Sequence, residues 1–188
     1  MDHQYEAQYE NLLLRPLQEQ DIEYLRSWRN NKEQTKYLRP IPYITQEMQL
    51  GWFQRYLENP DEIVFAIVET RDLNRIIGSV AIYEFGQTCA EVGKIQIGDP
   101  AAFGHGYGRM AMTMAVWLGI QKLGLQKLTA SVHRENLSAH KSYMRMGFRI
   151  VGDHPAVMGG VEDEIEIDGK RLAEVNPFVE NILLRDGT

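Results

Sequence analysis

The 188-residue chain is poor in several things that would have directed the reading elsewhere. It holds one cysteine, Cys89, with no CxxC pair and no clustered cysteine and histidine, which rules out an internal disulfide and leaves no motif for a structural zinc. It lacks a basic excess: 20 Lys and Arg stand against 26 Asp and Glu, a net charge of -6. A general nucleic-acid binder needs a basic face to displace counterions, so nucleic acid is not an expected partner, and a cationic or neutral substrate fits better. No stretch approaches the roughly 18 apolar residues of a membrane span, and the polar opening lacks the apolar run of a signal peptide. The expectation is a cytoplasmic chain with no membrane partner. Neither GxGxxG nor GxxxxGK[ST] occurs, which removes the dinucleotide and P-loop motifs. Asn136-Leu137-Ser138 matches a glycosylation sequon, but without a secretion signal the match is taken as coincidence. No repeat, linker or low-complexity stretch divides the sequence, so residues 1–188 are expected to form one domain.

What is present is a hydrophobic fraction of 44% arranged in short runs and helical stripes. Leu12-Leu13-Leu14, ended by Arg15-Pro16, predicts a first strand. Asp21 opens a helix carrying Ile22, Leu25 and Trp28, stopped by Asn30-Asn31. Residues 36–43, with two prolines, read as loop. Thr45 caps a second helix with Met48, Trp52 and Tyr56 on one stripe beside Phe53 and Leu57. Strands come next at 62–69, 75–84 and 90–98, then a helix over 106–123 and a strand at 125–133. A helix over 138–146 ends at Gly147, a residue suited to the left-handed closing position, and a strand succeeds it at 148–151. Asp168-Gly169 between alternating residues predicts a two-residue hairpin, and 178–184 a last strand. This order predicts mixed α and β layers with local hairpins, an α+β arrangement within the α/β class, not a strictly alternating doubly wound fold.

Two segments carry chemistry. Gly104-His105-Gly106-Tyr107-Gly108-Arg109 lies where a strand passes into a helix. Glycines at alternate positions let backbone N–H groups approach a ligand, and the helix start adds a positive dipole end, so a phosphate or pyrophosphate can bind. The glycines have an equally simple structural reading as a tight turn. The second segment is Asn136-Leu137-Ser138-Ala139-His140-Lys141-Ser142-Tyr143-Met144-Arg145-Met146-Gly147-Phe148. With both segments in hand, the chain resembles the GNAT superfamily of acyl-CoA N-acyltransferases, whose best motifs are a GxGxG/A turn and, past the next strand, NxxAxxxYxxxGF. The resemblance extends to Leu13-Leu14-Arg15-Pro16-Leu17 and Asp21, covering nearly the whole chain.

The resemblance implies a mostly antiparallel mixed sheet, helices on both faces, and a splayed central strand pair, here the strands at 90–98 and 125–133. It implies acetyl-CoA as co-substrate, with pantetheine amides along Ile95, Gln96 and Ile97 and pyrophosphate on Gly104, His105, Gly106, Tyr107, Gly108 and Arg109. Asn136, Ser138, Lys141 and Tyr143 are implied near the cofactor. Phe103 stands where the family usually has Arg or Gln, so phosphate binding is expected to depend on backbone, His105 and Arg109. Tyr143 matches the residue that commonly protonates the leaving thiolate; a phenol with a pKa near ~10 keeps its proton at neutral pH. The plainer reading of Tyr143 is a core aromatic beside Phe148.

An amine must lose a proton before attacking a thioester. Glu91, on the cofactor-flanking strand, is the first candidate base, with a solvated strand-end carboxylate as its plain alternative, and His133 is a weaker one. The acceptor is implied to meet the first two helices and their loop, through Trp28, Arg29, Asn30, Tyr37, Arg39, Tyr43, Trp52 and Phe53. This triplet and its tyrosine-rich loop look like the branch holding ribosomal-protein alanine, spermidine and amino-sugar acetyltransferases. Stacking aromatics beside arginines suit an amino sugar or sugar nucleotide, while the acidic charge suits a polyamine. Trp28 and Trp52 read equally well as helix-packing residues. The expected activity is acetyl transfer by direct attack in a ternary complex. The competing reading is an acyl-CoA-binding module without catalysis. A homodimer is compatible with the sequence.

Overall fold

The computed structural model describes residues 3–35, 40–157 and 159–186. Nine strands among these residues form one sheet in the order β7-β8-β6-β5-β4-β3-β2-β1-β9. The strands are β1 (Glu6–Tyr9), β2 (Leu12–Pro16), β3 (Glu62–Glu69), β4 (Arg75–Tyr83), β5 (Cys89–Ile97), β6 (Lys127–His133), β7 (Arg149–Pro155), β8 (Val161–Asp168) and β9 (Leu183–Arg185). The helices are α1 (Ile22–Asn30), α2 (Gln46–Glu58), α3 (Tyr107–Lys122), α4 (Leu137–Met146) and α5 (Gly169–Val175). Every strand pairing among the described residues is antiparallel except that of β5 with β6.

Alternation along β3 builds a core on each face. Ile63, Phe65 and Ile67 join Leu12, Leu14 and the α3 residues Met112, Met114 and Leu118 on one side. Val64 and Ala66 join Trp28, Phe53 and Tyr56 from α1 and α2 on the other. A central strand covered on both faces is expected to read as a continuous apolar run, and Ile63–Val68 does. Thr45 caps α2 by accepting from the Met48 N–H. Asp21 is buried and fastens the start of α1 to β2: its carboxylate takes both Arg15 Nη atoms, at 2.6 and 2.9 Å.

Two sequence expectations fail. Asp168-Gly169 is not a hairpin. Asp168 accepts from the Arg171 N–H as the cap of α5, and Gly169 lies where a Cβ would stand 2.9 Å from the Ile120 side chain. Leu172, read as a strand residue, is instead the fully buried face of that helix. The last strand is also shorter than expected. Pro177 opens a 3-10 turn over Pro177–Asn181, and only Leu183–Arg185 pairs, with β1. β1 itself has no alternation to betray it, since its one buried side chain is Ala7.

The turn between β3 and β4 is organised by a buried carboxylate. Glu69, 0% exposed, accepts from the backbone N–H groups of Arg71, Asp72 and Leu73 and from Asn11 Nδ2. Burial alone would raise its pKa, but these four donors hold it down at about 2. A depressed carboxylate pKa contributes stability that is present above the unfolded-state value and lost as pH falls through about 2. Glu69→Gln, which turns a donor toward this nest of N–H groups, is expected to cost about 2 kcal/mol at neutral pH. It should also flatten the loss of stability between about pH 4.5 and 2. Urea denaturation of both proteins across that range measures both effects; parallel curves would remove Glu69 from this role.

Candidate active site

β5 serves two partners and keeps only one along its length. It pairs with β6 over Cys89–Glu91 against Lys127–Thr129. Beyond Glu91 it stays with β4, where a bulge sets Lys94 and Ile95 against Val80, between the pairs Ala81↔Gly93 and Ser79↔Gln96. Lys94 has φ 49, a conformation few side chains adopt. β6 meanwhile stays in register with β8 over its whole length. The two strands therefore part, and the β6-facing backbone of β5 after Glu91 lacks a strand partner among the described residues.

A cleft of about 470 Å³ occupies the opening. Its walls include Ile95 and Ile97 from β5, Phe103, Gly104, Gly106, Tyr107, Gly108 and Arg109 at the start of α3, and Asn136, Ser138 and Tyr143 from α4. These are eleven of the expected cofactor residues brought together. Gln96, His105 and Lys141 do not line it. Gln96 points to the opposite face and donates to the Trp28 carbonyl at 3.2 Å. His105 is exposed and stacks on Tyr107 at 5.5 Å between ring centroids. Lys141 is exposed on the outer side of α4. Reading for motif alone misses Ala102, Met112, Ala139, Ser142 and Met146. Helical spacing would have found three of these, because Ala139, Ser142, Tyr143 and Met146 form one i, i+3, i+4 stripe that excludes Lys141.

The local structure explains the cradle. Asp99 accepts from the Ala101 N–H and caps a 3-10 turn at Pro100–Ala102, and Arg75 holds Asp99 at 2.7 Å. The chain then enters the glycine turn. Gly104 and Gly106 have φ 81 and 79, and nothing stands within 4 Å of where a Cβ would be. The glycines are thus required by backbone conformation. The first-turn N–H groups of α3 have no acceptor within the helix, and with the dipole they suit an anion. Phe103, 47% exposed, offers only an apolar face there.

Glu91 stands where the strands part, as the last β5 residue paired to β6, and its charge reaches Tyr143 on the cleft wall; neither Glu91 nor its partner Tyr83 lines the cleft. Tyr83 donates to Glu91 Oε1 at 2.5 Å. Glu91 is half-buried and its pKa is raised, chiefly by desolvation; Glu84 and Glu162 add to the rise, while the Tyr83 hydrogen bond and Lys94 oppose it. Lys94 lies 4.2 Å over the Tyr83 ring and pairs with Glu62 at 2.6 Å. Burial pushes the Tyr143 phenol up to about 12, with the Glu91 charge contributing. Tyr143 also packs edge-on to Phe148 at 5.2 Å, so the core reading and the cleft reading hold together. His133 has both ring nitrogens engaged, Nδ1 accepting from the Glu135 N–H and Nε2 facing the Gly159 carbonyl.

On the acceptor side, Trp28 is 9% exposed and belongs to the core of α1 and α2. Asn30 clamps the loop, exchanging two 2.9 Å bonds with the Ile44 backbone. Phe53 is buried, Trp52 is half-buried against Tyr56, and Tyr43 is 70% exposed beside Arg26. Burial lowers the Arg29 pKa, leaving it charged. Tyr37 and Arg39 lie outside the described residues. Trp28 is thus engaged in the core, and Asn30 on the backbone of the following loop.

The model of the acetyltransferase (GNAT) domain family matches residues 11–149. The uncharacterized N-acetyltransferase YoaA of Bacillus subtilis (strain 168) is 26% identical over 147 residues, 76% of this chain and 82% of that protein. An uncharacterized protein of Methanocaldococcus jannaschii is also 26% identical, over 73% of this chain, but the match spans only 28% of that longer protein. Among solved structures, spermidine N-acetyltransferase from Vibrio cholerae in complex with CoA and spermine superposes with a TM-score of 0.77 at 23% identity, covering 86% of this chain and 98% of that one. A GNAT-family acetyltransferase from Bacillus anthracis gives 0.74 at 20% identity, covering 88% and 99%.

Because Phe103 occupies the mouth of the cradle without a donor, Phe103→Arg is expected to tighten CoA binding about fivefold to tenfold through a charge-assisted phosphate contact. Pantetheine, lacking the pyrophosphate, should bind both proteins alike. Calorimetric titration of the two ligands checks this, and equal gains for both would point to a contact other than phosphate.

Proposed function

The chain belongs to the GNAT acetyltransferase family, a family whose co-substrate is acetyl-CoA, and from that premise we propose that it acetylates a primary amine by direct attack within a ternary complex. The observation that carries the reading is a protonated phenol, Tyr143, on the wall of a cleft with an open strand edge and an anion cradle, with the half-buried carboxylate Glu91 outside the lining but near enough for its charge to raise the phenol's pKa. The residues fit acetyl-CoA as a set. The β5 edge at Ile95–Ile97 can pair with pantetheine amides, and the glycine turn with Arg109 can receive the pyrophosphate.

Bound acetyl-CoA supplies the thioester carbonyl. Glu91 takes the proton from the acceptor ammonium, directly or through one water, and a raised pKa makes it a stronger base than an ordinary carboxylate. Tyr143 holds its proton at neutral pH and donates to the sulfur as the C–S bond breaks. Tyr83 holds Glu91 in place and stabilises its ionised form.

For the acceptor we favour an amine with two or more positive charges, of the polyamine class. Glu84 and Glu162 surround Glu91 with negative potential, and the net charge is -6. The fold similarity to a spermidine N-acetyltransferase bound to CoA and spermine is consistent with it. The amino-sugar expectation leaned on stacking aromatics beside Arg29 and Arg39; of these aromatics Trp28 and Phe53 are engaged in the core, and Arg39 lies outside the described residues.

The deciding experiment monitors thiol release from acetyl-CoA with spermidine, glucosamine and a peptide with a free N-terminus. Turnover with spermidine well above the others is expected. Preference for glucosamine or the peptide would overturn the acceptor class, and CoA binding without turnover would leave a non-catalytic module. Tyr143→Phe should lower kcat about a hundredfold with little change in CoA affinity.

Tyr83→Phe gives a signed pH test. The Tyr83 hydrogen bond lowers the Glu91 pKa, so removing it raises that pKa and moves the acid limb of kcat/KM to higher pH. A limb that stays in place, with rates scaled uniformly, would mean that Glu91 is not the titrating base.

A further inference from the structure

The glycine turn poses a question of rigidity. Gly104 and Gly106 have open space around them, so packing at these positions does not hold the turn in the conformation that presents its N–H groups. Upstream, the Asp99 cap fixes it. Downstream, the first residue of α3 is Tyr107, whose ring lines the cleft and whose hydroxyl accepts from Asn11 Nδ2 at 3.0 Å.

Asn11 lies 96 residues away in sequence, in the turn joining β1 and β2. Its carbonyl accepts from the Thr70 N–H at 2.8 Å, locking that turn to the one between β3 and β4. Its amide donates to Glu69 Oε1 at 2.7 Å as well as to Tyr107. Glu69, wholly buried and held by three backbone N–H groups, cannot move without leaving donors unsatisfied. The restraint passes in one direction: a fixed carboxylate orients the Asn11 amide, and the amide fixes the Tyr107 hydroxyl. His105, stacked on Tyr107 with 15° between ring planes, returns it to the glycine turn itself. None of these contacts belongs to the acid and base pair.

The geometry points to Asn11 and Glu69 as positioning residues for CoA, holding Tyr107 and with it the α3 N-terminus in the orientation that receives the pyrophosphate. This rests on the acyl-CoA reading of the cleft. Pre-ordering a binding surface lowers the entropy lost when the ligand arrives, so its removal weakens binding of the part of the ligand that the surface touches. The consequence is selective. Affinity for CoA falls, while affinity for a donor lacking the pyrophosphate does not.

The test compares Asn11→Leu, which removes both donor bonds, with Tyr107→Phe, which removes only the hydroxyl and leaves the Asn11–Glu69 pair intact should the first variant fold poorly. CoA and pantetheine are titrated calorimetrically into each, and turnover is measured with acetyl-CoA and with S-acetylpantetheine. The expected result is about tenfold weaker CoA binding and a similar rise in KM for acetyl-CoA. In Asn11→Leu, which alters no residue of the cleft lining, pantetheine affinity, S-acetylpantetheine turnover and kcat at saturating acetyl-CoA should stay within about twofold; for Tyr107→Phe the readout is the ratio of CoA to pantetheine affinity, which should fall about tenfold. Equal loss for both donors would show a merely structural role and overturn the inference, as would unchanged CoA affinity in both variants. If the wild-type protein binds CoA no better than pantetheine, the pyrophosphate cradle itself is wrong and the inference falls with it, an outcome distinct from intact CoA binding that the variants leave unmoved.

Discussion

A strand at the centre of a sheet can satisfy both of its backbone edges only if both neighbours keep its course, and in this fold β5 has neighbours that diverge. β6 stays with β8 over its full length, while the bulge at Lys94 and Ile95 carries β5 along β4. Pairing between β5 and β6 ends at Glu91 and Thr129. Past that point the domain holds an opening with polar backbone along one wall, where unpaired N–H and C=O groups are costly unless water or a ligand takes them. α3 begins and α4 lies where they can line that opening, and the cleft is the result. Acyl-CoA chemistry suits such a space because pantetheine is an extended chain with amide groups, able to act as a strand for a short distance.

The same parting explains the electrostatics. Glu91 is the last β5 residue paired to β6, so it sits where the strands part, half out of water and joined to Tyr83. Desolvation and the nearby Glu84 and Glu162 favour its protonated form, and Tyr83 and Lys94 favour the carboxylate. The balance produces a carboxylate more basic than usual that remains anchored. Tyr143 experiences burial and the charge of Glu91 itself, and both keep its proton on. Burial is thus the largest cause of both shifts, and the acid and base roles proposed for Tyr143 and Glu91 would use groups moved in the directions acetyl transfer requires.

Much of this was legible in the sequence, for reasons that differ by residue. The apolar run at 62–69, the capped helix after Thr45 and Gly147 closing α4 with φ 103 are local signals that the fold obeys. The glycine turn and Tyr143 were legible through their motifs. Asp168-Gly169 misled because Asp before Gly serves both a hairpin and a helix cap, and the choice was made by Leu172 finding a buried site. β1 was hidden because a small alanine gives no periodic contrast. The divergence of β5 was legible only through the family resemblance, which implied a splayed pair at 90–98 and 125–133; the bulge itself, at a lysine with positive φ, has no local sequence signal and is set by what β4 and β8 hold in place. Asn11 and Glu69 were hidden for a similar reason, because their contacts join residues 58 and 96 positions apart.

The residues around Trp28 tie the first helix to the sheet. Gly98 has no Cβ, and a Cβ there would stand 2.0 Å from the Trp28 ring, so the indole seats directly on the end of β5. Gln96 donates to the Trp28 carbonyl, and Gln34 donates to the Gly98 carbonyl at 3.2 Å. These contacts dock α1 onto the strand that forms one wall of the cleft. Arg29 in α1 and Trp52 in α2 remain half-buried, and Tyr83 on β4 is joined to Glu91 on β5. Under the polyamine reading proposed above, the negative potential of Glu84, Glu91 and Glu162 rather than stacking would set which amine can approach.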